Sequence, residues 1–467
     1  MTSPVILDRS AHTISRSEID PDVVRVLYRL QSGGFKAYLV GGSVRDLLLG
    51  RKPKDFDVGT DAHPNQVKSL FRNCRIIGRR FRLAHILFAR GKTVEVSTFR
   101  RRPEPTEGGE GDLLLTEDNT FGTPIEDALR RDFTINGLFY DISTFSVIDY
   151  VGGLADLGDR VVRAIGDPDV RFREDPVRML RAVEFAARLD FTLTLDAHDA
   201  IIRHRPEIAR SSPPRVTEEI LGVLRGPRPL ASFRLLRDVG LLELLLPELL
   251  AAIAAHTDPI RGEDGTLFWR YLSRLEQLAD EGRPISHDSI LIGLLVLPLV
   301  FSEIGARIAA GGELDNPALL DIIDRTADPI FSRLTIPNAV LHTAKQAIFL
   351  LGKLDEPLRS PALARRLIGR SCFPTAFEMF RVHAEASGRH AESVARWERL
   401  LAQEPRIEIP SSPRPMRPAS HPAPTEPPRA VSVDAPSDRP APSKRRRRSR
   451  SPRASELGPE FKFRDEG

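Results

Sequence analysis

The 467-residue sequence predicts a mixed α/β domain near its N-terminus, all-helical domains after it, and a tail rich in proline and arginine. Three observations carry this reading. Strand-length apolar runs and helix-length segments interleave up to about residue 166, whereas from about 195 to 403 the spacing is helical throughout. From Pro405 onward the chain holds 14 of its 38 prolines and has too little apolar content to bury a core, so disorder is expected there. The expected division is a loose lead-in over 1–18, a head over 19–167, a helical neck over 168–260, a helical body over 261–404 and the tail over 405–467.

Composition narrows the class. Hydrophobic residues are 41% and charged residues 28% of the chain, ordinary values for a soluble protein. Two cysteines, Cys74 and Cys372, provide neither a disulfide framework nor a metal knuckle, and point to a reducing compartment. With no basic-then-apolar signal pattern at the N-terminus, a cytoplasmic protein is expected. The longest apolar run, Ile290 to Phe301, has 12 residues, short of the roughly 20 a membrane span needs, and reads as a buried helix. The net charge of +4 divides into +6 from Pro405 onward and −2 before it. The run KRRRRSRSPR, with Lys444, Arg445, Arg446, Arg447 and Arg448 at its start, is therefore the expected polyanion contact, with RNA as the expected partner.

Taken in order, the first helix starts near Ser17 or Asp20, carries Val24, Leu27 and Leu30 at helical spacing, and stops at Gly33-Gly34. A strand over Lys36 to Val40 leads into Gly41-Gly42. There the chain can turn sharply and approach a ligand with no Cβ in the way. Ser43 is the expected N-cap of a short helix ending at Gly50, and its free N–H groups together with Arg45 make a phosphate site. An ordinary strand-turn-helix corner would read the same way.

Asp55 and Asp57 are the expected metal ligands. On a strand they share a face, while Phe56 and Val58 turn to the core. Two adjacent carboxylates repel, and a pair of Mg²⁺ ions resolves that repulsion and suits in-line phosphoryl chemistry. A helix over Asp61 to Phe71 and two or three strands follow. Glu95, between Val94 and Val96, points away from the core, either as a third carboxylate or as an exposed strand glutamate. Arg79, Arg80 and Arg82 around Phe81 are either phosphate contacts or a solvated face, and Arg101 to Asn119 reads as a mobile loop.

The segment Glu126 to Leu138 fits a helix, with Asp132 and Asn136 at i, i+4 on one face beside Arg130 and Arg131. The stretch from Val147 to Pro168 reads as strand, turn and strand, closing the sheet near residue 166. A further helix follows, with Asp175 as N-cap and Pro176 at its first position. On it Asp175, Arg178 and Arg181 form a slowly drifting polar line suited to a base edge, though helix ion pairing would produce the same spacing. His287-Asp288 invites comparison with metal-dependent phosphohydrolases, but no other His/Asp set has ligand spacing.

Three segments in order, LVGGSVRDLLLG…DFDVGT, RRDFTIN and REDPVRMLRAVEFAARL, resemble the bacterial class II nucleotidyltransferase superfamily, which contains poly(A) polymerases and tRNA CCA-adding enzymes. The resemblance covers residues 35 to 260 firmly and the later helices loosely. It implies that Asp55 and Asp57 bind two Mg²⁺ ions and that Gly41, Gly42, Ser43 and Arg45 hold the triphosphate of ATP. Arg131, Asp132 and Asn136 would serve sugar and phosphates, with Asp132 or Glu95 as a further catalytic acid. Asp175, Arg178 and Arg181 would hold the base. Glu184 departs from the pattern, since relatives often carry arginine there. Within the superfamily, IIGRRFRLAHILF and the basic tail resemble the poly(A) polymerase branch, which implies AMP addition from ATP to RNA 3′ ends. An RNA-degradation assembly is a partner such an enzyme would have. The alternatives are a CCA-adding enzyme and a non-catalytic RNA-binding protein of the same fold.

Overall fold

The computed structural model describes residues 3–78, 82–102, 120–256, 262, 265–357 and 360–403. The expectations for the tail, including Lys444 to Arg448, for the loop over 103–119, and for Arg79, Arg80 and Phe81 lie outside these residues. Eight strands form the N-terminal sheet: β1 (Val5–Leu7), β2 (Ala37–Val40), β3 (Asp57–Thr60), β4 (Cys74–Ile77), β5 (Leu83–Leu87), β6 (Thr93–Thr98), β7 (Leu138–Asp141) and β8 (Ser146–Asp149). Their spatial order is β1-β8-β7-β2-β3-β6-β5-β4, and β3–β6 is the one parallel pairing in that sheet among the described residues.

The period of two sets which side chains reach the site. On β2, Ala37 and Leu39 join the main core, whereas Tyr38 and Val40 meet a smaller core made with Phe99, Ala128, Phe139 and Ile148. On β3 and β6, Val58, Val94 and Val96 face the main core. Asp57 and Glu95 therefore share the opposite face, and they are direct register partners across the parallel pair.

Helices α1 (Pro21–Ser32), α2 (Gly42–Leu48), α3 (Pro64–Leu70), α4 (Pro124–Arg130) and α5 (Gly153–Asp159) complete the head. Several local expectations change. The lead-in is not loose throughout: Val5, Ile6 and Leu7 pair antiparallel with β8 and supply its missing neighbour. Ser43 lies inside the first turn of α2, its buried hydroxyl drawn back to Val40 O at 3.1 Å, and Gly41 is the cap. Asp55 precedes β3 because its partner runs out: the β2–β3 ladder ends at Val40 and Asp57, where Gly41 turns away.

The helix expected over Glu126 to Leu138 breaks after Arg130. Backbone pairing with the 163–165 segment overrides the helical pattern, through Thr134 N–H to Arg163 O at 3.0 Å and Ile165 N–H to Asp132 O at 3.0 Å. The expected strand-turn-strand contains α5 instead. The Asp149 carboxylate accepts four backbone N–H groups, from Val151 to Leu154, at 2.9–3.1 Å and anchors its start. The strand after it, β9 (Val161–Val162), leaves the main sheet and pairs in parallel with β10 (Thr192–Leu193).

Among the described residues that follow, the elements are helices, with β10 the exception. α6 (Pro168–Glu174) and α7 (Val177–Leu189) come first, then α8 (Leu195–His204), α9 (Pro213–Arg225), α10 (Pro229–Asp238), α11 (Leu241–Leu245) and α12 (Pro247–Ala255). The last seven are α13 (Leu267–Asp280), α14 (Asp288–Ala309), α15 (Asn316–Leu334), α16 (Asn338–Asp355), α17 (Pro361–Ile368), α18 (Phe373–Ser387) and α19 (Ala391–Gln403). Asp175 is not the N-cap of α7. It ends α6 in an extended conformation, and its carboxylate is drawn to Arg215 on α9.

By length and composition α14 could cross a membrane, with 22 residues and a mean hydropathy of 2.1 over its best window. Here it packs against α15, α16 and α18 with Leu291, Ile292 and Val296 fully buried, as the reading of Ile290 to Phe301 as a core helix expects. A Cβ on Gly293 would lie 2.5 Å from Met379 Cε, so glycine allows the close approach to α18. Asp288 accepts from Arg225 at 2.8 and 2.9 Å and ties α14 to α9, which gives the His287-Asp288 pair a structural use.

Candidate active site

The ends of the central strands β2 and β3, with α2 and α7, border a cavity of about 550 Å³. Gly41, Gly42, Ser43 and Arg45 line it from the β2–α2 corner, and Asp55 and Asp57 from β3 and its lead-in. Arg131, Asp132 and Asn136 enter after α4, and Asp175, Arg178 and Arg181 from α7 and the turn before it. Residues 140 positions apart in sequence are thus brought to one space. Glu95 is not in the lining. It stands beside Asp57 in register and pairs with His85 Nε2 at 3.2 Å. Arg82 is exposed and outside the lining, with its carbonyl accepting from Arg100 at 3.4 Å.

Gly41 holds φ 73° and ψ −135°, a region closed to residues with a Cβ, and a Cβ there would sit 2.7 Å from Arg131 Nη1. Arg45 is buried. It donates to Asn136 Oδ1 and, through Nε at 2.9 Å, to Asp46. Asn136 in turn donates to Asp132 Oδ1 at 3.1 Å. The i, i+4 partnership of Asp132 and Asn136 therefore forms without the helix that predicted it.

Asp132 is fully engaged. Arg181 Nε and Nη2 lie 2.9 and 2.8 Å from Oδ2, and the Phe133 N–H donates to Oδ1 at 2.8 Å. Burial would raise this carboxyl, but Arg181 and Asn136 hold it down at about 2. Asp57 behaves in the opposite way. Crowding by protein, with Glu95 and Asp55 adding negative charge against the pull of Arg131, pushes its carboxyl up to about 6. Burial lowers Arg45 and Arg178 from the usual arginine range, and it pushes Arg171 down to about 9 with Arg178 and Arg102 close by. Within the cavity Asp132 is thus matched by Arg181, whereas Asp57 carries a charge that burial and its acidic neighbours disfavour.

Sequence reasoning missed a layer of residues that hold the named ones. Asp127, fully buried, accepts from Arg130 at 2.8 Å and from Arg131 at 2.9 Å, and its signal was the acid placed three and four positions before the arginine pair. Glu174 gathers Arg102, Arg171 and Arg178 at 2.6, 2.8 and 3.4 Å. Phe185 lies beneath three guanidinium groups, those of Arg45, Arg181 and Arg188, each 5.1 Å from its ring centre. Glu184, the departure from the family pattern, pairs with Arg188 at 2.9 Å, and burial pushes its carboxyl up. Arg215 and Glu219 reach the cavity from α9, and no local pattern announced them.

Among the described residues, no set of three or more His, Cys, Asp or Glu side chains is already gathered around a metal-sized point. The residues present nonetheless fit divalent cations. Asp55 and Asp57 open on the cavity, and burial together with the Glu95 and Asp55 charges raises the Asp57 carboxyl, a cost that a bound cation would relieve.

The first family model to match is described as the poly A polymerase head domain and covers residues 37–163. A second, described as a probable RNA and SrmB-binding site of polymerase A, covers residues 190–253. Poly(A) polymerase I of Salmonella typhi is 49% identical over 249 residues, 52% of this chain and 53% of that protein, so this match spans about half the relative's length. Poly(A) polymerase I of Haemophilus influenzae is 35% identical over 399 residues, 84% of this chain and 86% of that protein. Among solved structures, the Bacillus stearothermophilus CCA-adding enzyme in complex with CTP is similar with a TM-score of 0.56 and 26% identity. That likeness covers 82% of this chain and 83% of the other.

Proposed function

The chain belongs to the class II (polymerase-β-like) nucleotidyltransferase superfamily, and from that premise we propose a template-independent poly(A) polymerase. It would act in the cytoplasm, extending RNA 3′ ends with AMP from ATP and releasing pyrophosphate. The observation that carries the chemistry is the single cavity lined by both acids of the DxD pair and by the arginines of four separate segments. The observation that favours adenylate is the 35% identity to a poly(A) polymerase I along 84% of the chain.

In this reading Asp55 and Asp57 hold Mg²⁺. When bound, the ions activate the attacking 3′ hydroxyl and stabilise the leaving pyrophosphate. Gly41 and Gly42 let the triphosphate approach the backbone at the start of α2, and Arg45, fixed by Asp46 and Asn136, presents its charge there without reorganising. Arg131 and Asn136 serve sugar and phosphates. Arg178 and Asp175 face the base. Glu95, in register beside Asp57, is the better candidate for the third carboxylate, because Asp132 is committed to orienting Arg181.

A second reading, CCA addition to tRNA, is favoured by the likeness to a solved CCA-adding enzyme along four-fifths of the chain. The reading from another class is RNA binding without catalysis. Asp55→Asn combined with Asp57→Asn separates enzyme from binder: nucleotide addition should disappear while RNA affinity survives. Addition that persists in the double variant overturns the metal assignment.

A further inference from the structure

A second cavity, of about 300 Å³, opens between α10, α13 and α18. Because α10 packs against both α13 and α7, it connects this cavity to the helix that carries Arg178 and Arg181. Trp269, Arg270, Ser273, Arg274 and Gln277 present one face of α13 to it, while Leu230 and Arg234 come from α10.

The polar groups here are unevenly satisfied. Arg274 is held by Glu385 at 2.6 Å, Glu281 at 2.7 Å and Gln277 at 3.2 Å. Arg270 lines the same cavity, and among the described residues its side chain has no hydrogen-bond or ion-pair partner. Trp269 is 2% exposed, and its Nε1–H has no acceptor. Arg270 thus stands beside the Arg274–Glu385 pair and next to an apolar surface of Leu230, Trp269 and Ala386. A guanidinium kept unpaired over such a surface is placed to take a phosphate oxygen, with the apolar wall against a sugar or base.

We propose that this cavity is a second RNA contact, in which Arg270 binds one backbone phosphate of the RNA whose 3′ end is being extended. The proposal rests on the reading of the chain as an RNA-extending enzyme, and α10 falls within the segment matched by the RNA-binding family model. The apolar wall favours a nucleotide chain over a free inorganic anion.

The test uses the full chain and labelled oligoadenylates, with affinity measured across a salt series. Arg270→Gln should weaken binding of a long oligomer about fivefold and reduce the salt slope by about 0.7, the share of one single-strand phosphate contact. Arg270→Lys should restore the slope, and Arg325→Gln on the exposed face of α15 should leave it unchanged. Inorganic phosphate at fixed ionic strength should not compete. An unchanged slope in Arg270→Gln, with wild-type RNA binding intact, overturns this contact alone. Competition by inorganic phosphate overturns the RNA assignment, and a wild-type chain that binds no RNA overturns the proposed function as well.

Discussion

Arg215 presents Nη1 and Nη2 to the two carboxylate oxygens of Asp175, each at 2.8 Å, and so joins α9 to the junction between α6 and α7. The two side chains are 40% and 19% exposed, so the pair contributes at most about 1 kcal/mol to stability. Its larger effect is on direction, because both oxygens of Asp175 are fixed while lone pairs remain for a base amine. Arg215→Ala should leave the fold intact and raise CTP use relative to ATP by about tenfold, since a free carboxylate can turn toward either base. Competing incorporation of the two nucleotides measures this, and unchanged selectivity would contradict it.

Gly41 and Gly42 should respond differently to alanine. At Gly41 the backbone region costs a residue with a Cβ about 1–3 kcal/mol, and the new Cβ meets Arg131 Nη1 at 2.7 Å. At Gly42 the nearest atom is Arg45 Nη2 at 3.3 Å, and φ is not positive. Gly41→Ala should lower the melting temperature by several degrees and nucleotide addition by more than about tenfold. Gly42→Ala should change stability little and act mainly through a higher KM for nucleotide. Equal effects of the two would count against a strained corner at Gly41.

How much of this was legible in the sequence follows from how local each signal is. Gly41, Arg45, Asp55 and Asp57 lie within 17 positions of one another, and the strand–turn–helix that holds them is encoded in the same stretch. All four line one cavity. The break after Arg130 was not legible, because hydrogen bonds from Thr134 to Arg163 and from Ile165 back to Asp132 decide it, and the apolar spacing still favours a helix. Arg215 and Glu219 were missed for the same reason: their helix looks like any amphipathic segment until α9 packs on α7. Asp127 was visible beside its arginines, but its burial was not.

The helical body should lose stability in acid. Burial, with His390 and two arginines near, holds His383 at about 3, so it stays neutral and shares a hydrogen bond with the Tyr271 hydroxyl at 2.6 Å. The unfolded chain takes up a proton near pH 6.5 and the folded one does not, so stability falls as pH drops through that value. By about pH 5 the loss from this group alone should reach about 2 kcal/mol. His383→Asn keeps a hydrogen-bonding partner for Tyr271 without a titrating ring, and its stability should depend less on pH between about 7 and 5. Denaturant midpoints across that range check this, and parallel pH curves for the two proteins would remove His383 as the cause.

The central claim is adenylate addition to RNA 3′ ends at the Asp55–Asp57 cavity. Its most direct test supplies each nucleoside triphosphate in turn, with Mg²⁺, to a generic unstructured RNA primer and to tRNA lacking its CCA end. Long extension of both RNAs is expected with ATP alone, and little with CTP, GTP or UTP. Addition that requires CTP before ATP, stops after the CCA end is complete and ignores the unstructured primer would contradict it.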